Sequence, residues 1–253
     1  MFLPSYTSSA WYHKKLPADL QQKDLAGVLA DAQQYAAGAY TTALGKGDSL
    51  TAQERDEMIN QVTRFTGLDR MVVDLNNGRI SEPVFTRELL RAQRLQVGRL
   101  DSRFTATPMA GEHGYYDPSE SAIRPPFTAT FNNYVRTELG FKTDQEYYVL
   151  GGGVGQWDWG SAVEGYPDTS AELRLAFVKN PYMKLFVASG YYDLATPFFA
   201  TQYTLNHMHL DQPQHGKITL GYYEAGHMMY IDEKSLGRLR ADVGKFLEES
   251  QRR

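Results

Sequence analysis

Two short apolar runs in the last third of the sequence limit what this chain can fold into more than any other feature. They are Lys184-Leu-Phe-Val-Ala-Ser-Gly190 and Ile218-Thr-Leu-Gly-Tyr-Tyr223. Each is short enough to read as a buried strand, and the first ends in a glycine that stops it. Between them, Pro197 to about His209 reads as a helix. After them, Asp232 to Glu249 reads as an amphipathic helix with Leu236, Leu239, Val243, Phe246 and Leu247 on one side. Strand, helix, strand, helix is the order of an α/β fold with a parallel sheet, because parallel neighbours need a crossover connection.

The preceding residues are patterned for helices. Leu20 to Leu44 carries Leu25, Val28, Leu29, Ala32, Tyr35, Ala36, Ala39 and Tyr40 at helical spacing, and Gly45-Lys-Gly-Asp48 stops it. Thr51 and Glu54 make a capping-box pattern that opens a second helix through Phe65, closed by Gly67. Asn77-Gly78 marks a tight turn. Ser81 opens a third helix through about Gln96, with Pro83 tolerated in its first turn. Residues 98–124 read as a long loop, and Pro126 to Leu139 as helix again. Residues 1–180 therefore form a mostly helical region, and 181–253 the α/β segment.

Composition removes several classes of function. Hydrophobic residues make up 42% and charged residues 22%, enough apolar material to build a core and too much for disorder. A net charge of −4 provides no basic footprint for nucleic acid. The absence of cysteine rules out disulfides and thiolate metal sites. No apolar run reaches the roughly 18 residues that span a bilayer.

Chemistry-bearing residues stand just beyond both predicted strands, where ligands gather on open α/β sheets. Asp193 lies in Gly190-Tyr-Tyr-Asp-Leu-Ala-Thr-Pro197, and His227 in Glu224-Ala-Gly-His-Met-Met229. Alone, an aspartate after a strand is a turn former, and a histidine in a Gly-His-Met loop is polar surface. Together, at successive strand ends, they match an acid–base relay. The histidine takes a nucleophile's proton, and a buried carboxylate fixes its tautomer and stabilises the imidazolium.

Val187-Ala-Ser-Gly-Tyr-Tyr-Asp193 and Ala225-Gly-His-Met228 resemble the acid and base segments of the serine carboxypeptidases, a branch of the α/β-hydrolases. Leu3-Pro-Ser-Tyr6, Ala10-Trp-Tyr-His13, Gly98-Arg-Leu-Asp-Ser-Arg103 and Gln156-Trp-Asp-Trp159 resemble segments of the helical cap in bacterial members, so the similarity runs over nearly the whole chain. The resemblance implies an α/β-hydrolase fold seen from its C-terminal part: a helical cap, then the last strands and helix of the parallel sheet. It implies that Asp193 is the triad acid and His227 the base, and that Met228 helps line the substrate pocket. The chain order Asp before His also agrees with that fold. A peptide substrate, no cofactor, and a periplasmic or secreted location are further implications.

One element of the family pattern is missing. Its nucleophile sits in a Gly-x-Ser-x-Gly elbow upstream of the cap, and no serine before Asp193 has glycine at both flanking positions; Ser161, for instance, has Trp159 and Val163. The expectation is that the nucleophile half of the catalytic domain is a separate partner to these residues and that the chain alone is inactive. Two strands also leave an unpaired edge, so the chain alone is expected to self-associate. An acyltransferase of the same family is an alternative, and so is a non-catalytic binding module in which Asp193 and His227 are relics.

Other signals are weaker. Gly151-Gly-Gly-Val-Gly155 lacks the lysine of a phosphate-binding loop and reads as a flexible turn. His207, His209 and His215 do not have metal-ligand spacing, since positions i and i+2 of a helix point apart. Glu112, His113 and Asp117 in the long loop make an equally poor ligand set. Arg87 to Arg99 reads as a solvated helix face.

Overall fold

The computed structural model describes residues 1–108, 116–148, 158 and 168–251. Its first helix, α1 (Leu3–Tyr12), is buried continuously from Leu3 to Ala10. No helix is anticipated there by periodicity, because a helix covered on all sides has no polar face to set a 3.6-residue rhythm. Some of its hydroxyls bond within the helix: Thr7 Oγ1 donates to the Leu3 carbonyl at 2.9 Å, and Ser9 Oγ to that of Ser5 at 2.8 Å, whereas the buried Ser5 Oγ has no hydrogen-bond partner among the described residues.

Around α1 pack the helices that follow. α2 (Ala18–Gln21) is a single turn, and α3 (Leu25–Tyr35) starts on Asp24, whose side chain accepts from the Gly27 N–H. A wide π-helical turn, Ala36–Tyr40, joins α3 to α4 (Thr41–Lys46). The helix expected from Leu20 thus begins at Leu25, where Asp24 offers the better cap. α5 (Ala52–Thr66) has the full Thr51–Glu54 capping box and ends on Gly67 in the left-handed conformation, φ 64°. The short α6 (Arg70–Leu75) follows, capped by Asp69, then the Asn77-Gly78 turn with positive φ at both residues.

Two corrections concern residues 81–124. α7 (Glu82–Glu88) stops well short of Gln96. The chain instead makes a 3-10 turn at Arg91–Gln93 and a strand, β1 (Gln96–Val97), paired antiparallel with β2 (Thr105–Ala106). Arg87 to Arg99 is therefore not one solvated helix face. The segment read as loop through residue 124 holds β2 and the start of α8 (Pro118–Thr137), which has Pro125 and Pro126 inside it. Asp117 caps α8 by accepting from the Ser119 N–H, and Pro118 fills its first position, a stronger start signal than the prolines further on.

The last third follows the expected order. After α9 (Ser170–Lys179) come β3 (Leu185–Gly190), α10 (Phe198–Asn206), the one-turn α11 (Gln212–His215), β4 (Ile218–Tyr223) and α12 (Glu233–Gln251). β3 and β4 pair in parallel from Leu185 opposite Ile218 to Gly190 opposite Tyr223. The fold is thus mixed helix and sheet, with its longer strands parallel. No helix among the described residues is long and apolar enough to cross a membrane.

The main core joins α1, α3, α5 and α7 to the segment after β3, through Tyr192, Leu194, Phe198 and Phe199. Phe85 at its centre is fully buried and stacks on Tyr6 with ring centroids 4.1 Å apart. Phe85→Ala should cost about 3–5 kcal/mol and visibly lower the thermal midpoint; an unchanged midpoint would show that the helical region does not share the core. Among the described residues, β3 and β4 have only each other as sheet neighbours. Sedimentation velocity of the isolated chain should therefore show mass rising with concentration, and a monomer over the whole range would contradict this.

Candidate active site

β3 delivers Asp193 and β4 delivers His227, and the approach of the two strand ends leaves no room for side chains. A Cβ on Gly190 would lie 2.2 Å from the Gly226 carbonyl oxygen. Backbone pairing continues past the strands, Tyr191 N–H to the Tyr223 carbonyl at 2.9 Å and Tyr192 N–H to that of Ala225 at 3.0 Å. The chain then turns sharply into α10, and that turn is built on Asp193.

The two carboxylate oxygens of Asp193 divide its work. Oδ1 accepts the N–H groups of Ala195 at 2.7 Å and Thr196 at 2.9 Å, the ordinary job of a turn-forming aspartate. Oδ2 accepts from Thr196 Oγ1 at 2.5 Å and from His227 Nδ1 at 2.8 Å. The carboxylate can only accept, so Nδ1 carries the proton and Nε2 presents its lone pair. The Asp193 side chain is 4% exposed and that of His227 43%, so the carboxylate is sealed in and the imidazole opens outward.

Charge follows the geometry. Burial pushes the Asp193 carboxyl up, but the hydrogen bonds from His227 and Thr196 outweigh it and hold the group below the usual carboxylate range. The hydrogen bond to Asp193 raises the His227 imidazole above its ordinary value, against burial and the positive charge of Arg99. The raised imidazole adds stability that is fully present below about pH 6.5 and is lost as pH rises through its folded value. The lowered carboxyl adds stability present above about pH 3.9 and lost as pH falls through its folded value. The pair thus stabilises the fold most in the window between.

Of the three anticipated site residues, Asp193 and His227 come together in hydrogen-bond contact. Met228 follows His227, is half-buried, and accepts the Ile231 N–H at 3.1 Å through its carbonyl. Thr196 was not anticipated. Its hydroxyl lies 3.2 Å from His227 Nδ1 as well as on Asp193, and the signal for it was the threonine three residues after the acid, just before Pro197. The segment Arg99–Arg103, where the family likeness implies only a part of the cap, touches both loops: the Arg99 carbonyl accepts from Leu194 N–H at 3.0 Å and the Leu100 carbonyl from His227 N–H at 2.7 Å.

Elsewhere, His207 stacks on Tyr203 and its Nδ1 lies 2.7 Å from the Tyr203 carbonyl oxygen. Among the described residues no cluster of three His, Asp or Glu side chains is placed to hold a metal ion. A cavity of about 1110 Å³ lies between α3–α4 and α5, lined by Tyr35, Ala39, Thr42, Glu57 and Gln61, remote in the chain from Asp193 and His227. Gly151–Gly155, Glu112, His113, Ser161 and the tryptophans of Gln156-Trp-Asp-Trp159 lie outside the described residues. No protein-family model, curated protein or solved structure matches this chain.

Asp193→Asn should lower the pKa of His227 and let the imidazole adopt the wrong tautomer. Histidine C2-hydrogen exchange, followed by mass spectrometry across pH, resolves that residue at low protein concentration. A His227 titration unmoved by the substitution would mean that the two side chains are not coupled.

Proposed function

We propose that Asp193 and His227 are the acid and base of a serine carboxypeptidase of the α/β-hydrolase fold, with the serine supplied from outside these 253 residues. The observation that carries this reading is the 2.8 Å bond from His227 Nδ1 to a buried carboxylate, made between the ends of two adjacent parallel strands. The resemblance of the Gly-Tyr-Tyr-Asp and Gly-His-Met segments adds the substrate class, a peptide cleaved at its C-terminal bond.

The proposed chemistry uses His227 and Asp193 with a serine from outside the chain. His227 Nε2 takes the hydroxyl proton of the attacking serine as its oxygen bonds to the scissile carbonyl carbon. The imidazolium so formed is stabilised by Asp193, which stays ionised, and the proton passes to the departing amine. Water then repeats the sequence on the acyl-enzyme, with Nε2 again taking the proton. Asp193 is suited to this because Thr196 and the backbone already hold its carboxylate in place, so no reorganisation accompanies the charge change. The helices of residues 1–180 serve in this reading as the cap over the substrate, and a periplasmic or secreted location belongs to the same family likeness.

The test compares this chain with the same chain joined to a nucleophile-bearing half, using an N-blocked dipeptide as substrate. The chain alone should release no amino acid, and the joined protein should. Asp193→Asn and His227→Ala in the joined protein should each lower kcat by about 10³–10⁴-fold without changing the fold. Turnover by the isolated chain would place the nucleophile within it, and unimpaired variants would remove both residues from the mechanism. An alcohol included in the assay separates hydrolysis from acyl transfer by its products.

A further inference from the structure

We propose that Asp101 and Arg103 are positioning residues that hold His227 against Asp193, an inference that rests on the acid–base reading of that pair. Asp101 is 2% exposed, and the Arg103 side chain is largely buried too. Sealing two charges from water costs several kcal/mol per ion, and an apolar pair of the same volume is often as stable or more so. Stability therefore does not explain the charges. Their hydrogen bonds point to another role.

Asp101 Oδ1 accepts from the Arg103 N–H and from Arg103 Nε, both at 3.0 Å, and Oδ2 from Arg103 Nη2 at 2.7 Å. Oδ2 also accepts from the Gly226 N–H at 3.1 Å, in the Ala225–Gly226 peptide one residue before His227. Arg103 Nη1 reaches past its partner to donate to the Glu224 carbonyl at 2.9 Å. The ion pair thus grips the base loop at two peptides, and the Leu100 carbonyl takes a third hold on the His227 N–H. Gly226 passes so close that a Cβ there would lie 2.4 Å from both Asp101 Cβ and the Leu100 oxygen. An apolar pair could fill this space but could not orient those peptides.

The same strap holds the acid loop. Its Ser102 N–H donates to the Tyr192 carbonyl at 3.0 Å and its Arg99 carbonyl accepts from Leu194 N–H, on either side of Asp193. The guanidinium of Arg103 lies over the Tyr192 ring, 5.2 Å from its centroid. The strap itself is fixed from behind: Asp117 accepts from the N–H groups of Arg99 and Leu100, and Ser119 Oγ from those of Leu100 and Asp101. Acid and base are referenced to one short, immobilised segment, so their separation does not depend on the strands alone. A displacement of about 1 Å in such a pair can cost about 10²-fold in rate.

A structural role would change melting temperature alone, whereas a positioning role also changes how His227 titrates. The charged side chains bearing on that imidazole are Asp193 and Arg99, and neither is altered by substitution at Asp101 or Arg103. The experiment measures the His227 pKa by C2-hydrogen exchange in the 253-residue chain and in Asp101→Ala, Asp101→Asn, Arg103→Lys, Asp193→Asn and the core control Val62→Ala. Asp101→Ala should lower the pKa by about one unit, in the direction of Asp193→Asn. Asp101→Asn, which keeps an oxygen for the Gly226 amide, should retain most of the wild-type value. Val62→Ala should melt lower and titrate as wild type.

Should Asp101→Ala not fold, Arg103→Lys decides. It keeps the charge but cannot span Asp101 and Glu224 together, and should show an intermediate fall. Substitutions at 101 and 103 that lower the melting temperature yet leave His227 titrating as wild type would overturn the proposal. A His227 pKa unmoved in Asp193→Asn would instead remove the acid–base reading, and this inference with it.

Discussion

Parallel pairing of β3 with β4, in register from Leu185 opposite Ile218 to Gly190 opposite Tyr223, sets the terms for everything near the site. Parallel strands end at the same edge of a sheet, so whatever follows them emerges side by side. Here those continuations carry Asp193 and His227. Pairing persists beyond the regular strands through Tyr191 and Tyr192, which brings the two loops so close that Gly190 and Gly226 leave no space for a Cβ. A shift of one residue in the register would turn every strand side chain to the other face and separate the two groups.

A second layer of constraint comes from far away in the sequence. Ser8 on α1 donates to the Tyr191 carbonyl at 2.7 Å, and Ser9 on the same helix lies 2.6 Å from the Ser102 hydroxyl. His13, just past that helix, has Nε2 2.7 Å from the Ser102 carbonyl oxygen. The buried helix that carries no amphipathic pattern thus acts as a polar scaffold, reaching both the acid loop and the strap beneath the base loop. Its small side chains permit close approach, and its hydroxyls replace water in satisfying buried carbonyls.

The polar interior around residues 99–103 concentrates most of the buried charge in the described part of the chain. Asp101, Asp117 and Asp193 are each nearly inaccessible, and each has its oxygens occupied by backbone amides together with a hydroxyl, an imidazole or a guanidinium. Such a network is rigid when complete and costly when broken, because each orphaned oxygen would keep its full desolvation penalty. Rigidity of this kind is what the proposed acid–base role of Asp193 and His227 requires, since both groups must be in place before charge moves.

Sequence alone determined the late strand–helix–strand–helix order, the capping box at Thr51, the Asn77-Gly78 turn and the two residues that meet in the site. These are local matters, fixed by apolar periodicity, by turn chemistry and by chain order. It did not determine α1, whose burial erases the periodic signal, nor the end of α7, where pairing of β1 with β2 overrides a helical pattern. It could not assign Asp101 or Arg103 a part in the site, because a residue more than a hundred positions from the loop it holds leaves no mark in local pattern. Thr196 lies three residues from Asp193, but a threonine in a turn does not by itself reveal that its hydroxyl reaches His227. Tertiary structure decided those: only when β3 and β4 lie side by side does a buried charge pair find the peptides it can orient.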